Sequence, residues 1–160
     1  MAQSANSEQV SKAPTFSVTV SSRGTGFVQE VAAGTHLLIG DEPVEGGGTD
    51  SGPGPYDLLL AALGTCKSIT VSMYARTKKW PLERVVVRLA HSKVHAEDCQ
   101  DCHTKEGMLD RIECDLEFEG PLSAEQRARL LEIASHCPVH RTLTSEISIL
   151  SRLAMVEAAR

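Results

Sequence analysis

The chain has 160 residues, 41% of them apolar and 23% charged, which suits one globular domain with a sizeable core. A net charge of −5 with no basic stripe excludes nonspecific nucleic-acid binding, and an aromatic share of 4% leaves the core to Leu, Val, Ile and Ala. Unbroken apolar runs fall far short of a bilayer span, so no membrane partner is expected.

The polar stretch over residues 1–13 lacks an apolar signal core and predicts a disordered tail ahead of a single domain over 14–160. With no export signal read there, the expected compartment is the cytoplasm. Phe16, Val18 and Val20 alternate, which predicts a half-buried strand, and a turn over 21–26 carries Arg23. Phe27, Gln29 and Val31 alternate again as a hairpin partner, and His36 to Ile39 makes a third strand. The Gly-, Pro- and Asp-rich stretch over 41–55 reads as a loop. Its glycines lack the Lys of a phosphate-binding loop and the spacing of a dinucleotide fingerprint, and no cofactor is expected.

Residues 55–76 read as a helix, with Pro55 at its first position and Asp57 in its first turn. Leu59, Leu63, Cys66, Ile69 and Met73 lie near one face, with Leu58, Ala62 and Thr65 beside them. A helix this apolar is expected to be covered on most sides by a sheet, a partner subunit or both. A strand from Val85 runs towards His95. A loop over 96–108 follows, and then Ile112, Cys114, Leu116 and Phe118 alternate strictly with charged residues as the clearest strand. Ser123 to Gln126 is a capping box for a helix to about His136, with Leu130, Leu131 and Ala134 inward. Pro138 starts another helix with Cys137 as its N-cap, and Ile147 and Ile149 mark a last strand over 145–152. The order β-β-β-α-β-β-α-β is an α+β arrangement.

Five cysteines, an odd number, argue against a structural disulfide framework in a reducing compartment. Cys137 is the natural thiolate on local physics: a helix N-terminus offers unpaired N–H groups and a positive dipole end. A small buried N-cap without reactivity is the plain alternative. Cys66 lies mid-helix on an apolar face, where a thiol is inert unless a cation is supplied from elsewhere. Cys99-Gln100-Asp101-Cys102-His103 matches the c-type haem string, which its place inside the domain disfavours. The segment also suits a metal site with His95 or His103, a redox dithiol, or an ordinary polar loop. His91 and His95 on one strand would stand ~13 Å apart and cannot share an ion. Cys114 reads as core. No G-x-S-x-G elbow is present.

Two segments, GPGPYDLLLAALGTCKSIT over 52–70 and CPVHRTL over 137–143, resemble the OsmC/Ohr family of thiol-dependent peroxidases. The resemblance implies an intertwined homodimer with central helices wrapped by sheets. It further implies a sulfenic acid and disulfide cycle that reduces organic hydroperoxides, and hydrogen peroxide more weakly, at the expense of a dithiol reductant. In this reading Cys66 attacks, Cys137 resolves, and Arg23 is the matching cation. The family's hydroperoxide reductases carry a Glu directly after the helix-starting Pro. Here Tyr56 takes that place, and Asp57, the next residue and turned by about 100° around the helix, is the candidate substitute. The alternative is a ligand-binding or redox-sensing member without turnover, with a metal or dithiol site at Cys99 and Cys102.

Overall fold

The computed structural model describes residues 16–99 and 103–154, in two compact units, one ending at Pro55 and the other beginning at Tyr56. The predicted tail over 1–13 lies outside the described residues.

The first unit is an antiparallel sheet of β1 (Val18–Ser22), β2 (Gln29–Ala33) and β3 (His36–Gly40), in that spatial order. Val20 pairs with Val31, and Val31 with Leu38. Gly34 opens the two-residue turn between β2 and β3 at φ 62°, a conformation that a side chain would resist. The long loop that follows is organised by one buried carboxylate. Asp41 accepts N–H bonds from Glu42, Thr49 and Ser51 at 2.9, 2.9 and 3.1 Å and the Thr49 hydroxyl at 2.6 Å. These bonds, led by the Thr49 hydroxyl, hold its pKa down to about 2.

The second unit packs α1 (Pro55–Lys78) and α2 (Ala124–Ala134) on a hairpin of β4 (Arg84–His95) and β5 (Met108–Glu119). The hairpin pairs through all its residues, so Val85 opposes Phe118, Leu89 opposes Cys114 and His91 opposes Ile112. One stripe of α1 is buried, at Leu63, Gly64, Lys67, Val71 and Ala75, which recur every fourth residue or closer. Gly64 permits the close approach: a Cβ there would stand 2.8 Å from Leu89 Cδ1. Val71, Ala75, Phe118, Leu130 and Ala134 form the core, with Tyr74, Trp80 and Leu116 around it. The capping box opens α2 as expected, with Ser123 accepting the Gln126 N–H and Gln126 accepting the Ser123 N–H. A short helix, α3 (Pro138–Leu143), follows with Cys137 as its N-cap.

Three expectations are corrected. Residues 145–152 are not a strand: alternation supplies a face, but a strand also needs an edge to pair with, and no described strand of this chain pairs with this segment. Its Ile149 and Leu150 are exposed. Leu131 is 51% exposed rather than inward, because the buried stripe of α2 runs through Leu130 and Ala134. Finally, α1 is by length and composition apolar enough to cross a bilayer, with a mean hydropathy of 1.4 over its most apolar window. Counting unbroken apolar runs missed this, because Gly64, Thr65 and Ser68 interrupt the runs without making the helix polar. In the fold its buried stripe lies on the hairpin, while Leu59, Ile69 and Met73 on other faces are exposed.

Candidate active site

Cys66 and Cys137 come from distant parts of the chain and meet at the first turn of α3. Pro138 at the first helical position leaves the next amides without intrahelical partners, and the two sulfurs take them. Val139 N–H donates to Cys66 Sγ at 3.5 Å, and His140 N–H donates to Cys137 Sγ at 3.4 Å. Both thiols are free, and Cys66 is near enough to Cys137 to help raise its pKa.

Their environments differ. Cys137 is fully buried, and burial pushes its thiol pKa up; the neighbouring Cys66 adds to this, while the His140 N–H works against it. The expectation that Cys137 is the natural thiolate is therefore corrected: the helix terminus is where it was expected, but desolvation outweighs it. Cys66 is only half-buried, so it is the more accessible sulfur of the pair.

Arg23 stands in the first unit, where its guanidinium donates to Glu30 at 2.6 and 3.1 Å across the β1–β2 hairpin, largely in solvent. Asp57 is exposed in the first turn of α1. Tyr56, in the place of the expected Glu, stacks its ring on His91 with centroids 4.4 Å apart. His91 in turn bonds Asp110 at 2.9 Å, and Lys93 bonds the same carboxylate at 3.2 Å.

Sequence reasoning passed over Lys67, directly after Cys66. Its side chain is buried at 3% exposure, and Nζ donates to Ala134 O at 3.2 Å and meets His140 Nδ1 at 3.3 Å. The signal was present: a lysine in register with Leu63, Val71 and Ala75 sits on a buried stripe, and buried lysines are rare without partners. Burial first, and the Lys67 charge second, lower the His140 pKa. Cys114 is not filled core but half-buried, lining a cavity with Lys67 and His140. Cys99 is disulfide-bonded, and Cys102 lies outside the described residues. Among the described residues no group of three or more His, Cys, Asp or Glu is placed to hold a metal.

Comparison with known proteins gives the family of the chain. The OsmC-like protein family profile matches residues 48–151, which includes both cysteines. An OsmC-like protein from Mycoplasma pneumoniae is similar in structure, with a TM-score of 0.62 at 18% identity over 82% of this chain and 89% of that one. An organic hydroperoxide resistance protein OsmC from Legionella pneumophila gives 0.58 at 20% identity, covering 83% and 91%. The organic hydroperoxide resistance protein OhrB of Bacillus subtilis gives 0.55 at 17% identity, covering 81% and 90%. No curated protein sequence matches the chain. With more than half of its length matched by the profile and an α+β fold shared with these structures, the chain belongs to the OsmC-like protein family.

Proposed function

We propose that the chain is a thiol-dependent peroxidase that reduces organic hydroperoxides, and hydrogen peroxide more weakly, in oxidative stress defence in the cytoplasm. The observation that carries this reading is the meeting of Cys66 and Cys137 on consecutive amides of one helical turn, one sulfur accessible and the other buried. Accessibility supports Cys66 as the attacker. Its thiolate takes the distal oxygen of ROOH, the O–O bond breaks, and a proton completes the alcohol ROH. The Cys66 sulfenic acid then condenses with the Cys137 thiol, releasing water and leaving a disulfide. A dithiol reductant returns both thiols and is itself oxidised to a disulfide.

A raised pKa suits Cys137 for this order of events, since a protonated, buried thiol does not compete for the peroxide. Arg23 keeps the role that the resemblance implies for it, the cation for the thiolate, and Asp57 is read as the substitute for the Glu whose place Tyr56 takes. The exposed apolar residues of α1, Leu59, Ile69 and Met73, support a homodimer of single-domain subunits. The test is consumption of cumene hydroperoxide with dithiothreitol. Turnover that is lost in Cys66→Ser supports the reading. Full turnover in that variant contradicts it, and absence of any peroxide consumption together with ligand-dependent stabilisation would favour a binding role instead.

A further inference from the structure

The second unit holds a cavity of about 380 Å³ between α1, β5, α2 and α3 that neither Cys66 nor Cys137 lines. This is within the range of small-ligand pockets, about 300–1,000 Å³. We propose that it is a binding site for an apolar monocarboxylate, an acid with a medium-length hydrocarbon tail. The walls are aliphatic, at Leu63, Ile112, Leu116 and Leu131, and suit such a tail.

The head of the site is a pair of donors. The Lys67 ammonium has three protons. One goes to Ala134 O, which closes the C-terminal end of α2, and one to His140 Nδ1. The third is left for the cavity that Lys67 lines. Because an ammonium can only donate, His140 Nδ1 accepts and the ring proton sits on Nε2, giving a second, neutral donor. A buried ammonium whose two partners are uncharged gains from an anion more than a solvated one does.

The charge count sets the class of ligand. One cation faces the cavity, and the carboxylate that also lines it, Asp110, is already engaged by His91 and Lys93. This arrangement accepts a single negative charge and disfavours a dianion such as a phosphate monoester. Ser135 and the half-exposed Leu131 stand at the solvent side of α2, where the tail can enter. The ligand would share His140 with the cysteine pair, since the backbone N–H of that residue holds Cys137 Sγ.

The experiment is calorimetric titration of the full chain with octanoate, octanol and octyl phosphate, in the absence of peroxide. Octanoate is expected to bind one per chain, at least tenfold more tightly than either analogue, and to slow alkylation of Cys114 mapped by mass spectrometry. Lys67→Met is expected to bring octanoate down to the octanol level. If that variant does not fold, Leu131→Trp, at a half-exposed position, is expected to block octanoate by filling the cavity. Equal binding of octanol, binding without protection of Cys114, or no binding would overturn the proposal. Peroxide turnover is not read in this titration, so its result stands or falls separately from the peroxidase reading.

Discussion

Cys66 Sγ lies 3.5 Å from the backbone nitrogen of Val139, one residue before the amide that holds Cys137 Sγ. One helical turn thus grips two sulfurs of unequal exposure. At neutral pH Cys66 is expected to react with iodoacetamide at least tenfold faster than Cys137. The raised pKa of Cys137 keeps it protonated to a higher pH than an ordinary thiol, about 8.5. Timed alkylation followed by peptide mass spectrometry checks this, and faster modification of Cys137 would reverse the assignment of roles.

His140 makes stability fall in mild acid. Its folded pKa is lowered by burial and by the charges of Lys67 and His136, so below about 6.5 the unfolded chain binds a proton that the folded chain resists. Stability from this residue is full above that pH and is lost as pH falls towards the lowered folded value, with a slope of at most ~1.4 kcal/mol per pH unit. Urea midpoints at pH 7.5 and 5.5 measure it. His140→Asn is expected to flatten the difference.

Asp41 acts in stronger acid and in the other unit. Its folded pKa of about 2 lies below its ordinary value, so its contribution is complete above that ordinary value and lost as pH falls through about 2. Asp41→Asn is expected to melt below the parent at pH 7. Near pH 2 the two should converge, because the parent carboxyl is then protonated. Thermal melts across that range decide it.

Neighbouring leucines of α2 are expected to differ sharply. Leu130→Ala removes a fully buried side chain from the core and is expected to cost about 2–5 kcal/mol. Leu131→Ala, at a half-exposed position on the cavity, is expected to cost less than about 1 kcal/mol. Chemical denaturation of both variants measures the contrast.

Local chemistry makes much of this legible in the sequence. The capping box at Ser123, the Cys137-Pro138 helix start and the strict alternation through Cys114 each depend on neighbours in sequence, and each is present. What remained hidden depends on tertiary surroundings. The thiolate preference of Cys137 reverses because desolvation is set by residues far away in the chain. The strand expected around Ile147 needs an edge, which its own sequence cannot supply. Lys67 was legible in principle from its place on the stripe of Leu63 and Val71, but its partners, Ala134 and His140, are 67 and 73 residues away.

The most direct test of the two-cysteine cycle is a non-reducing digest after one equivalent of cumene hydroperoxide, analysed by mass spectrometry. A cross-linked pair of peptides carrying Cys66 and Cys137, lighter by two hydrogens and separated again by dithiothreitol, is the expected result. Peroxide left unconsumed, or consumed with both of these cysteines still free, would contradict it.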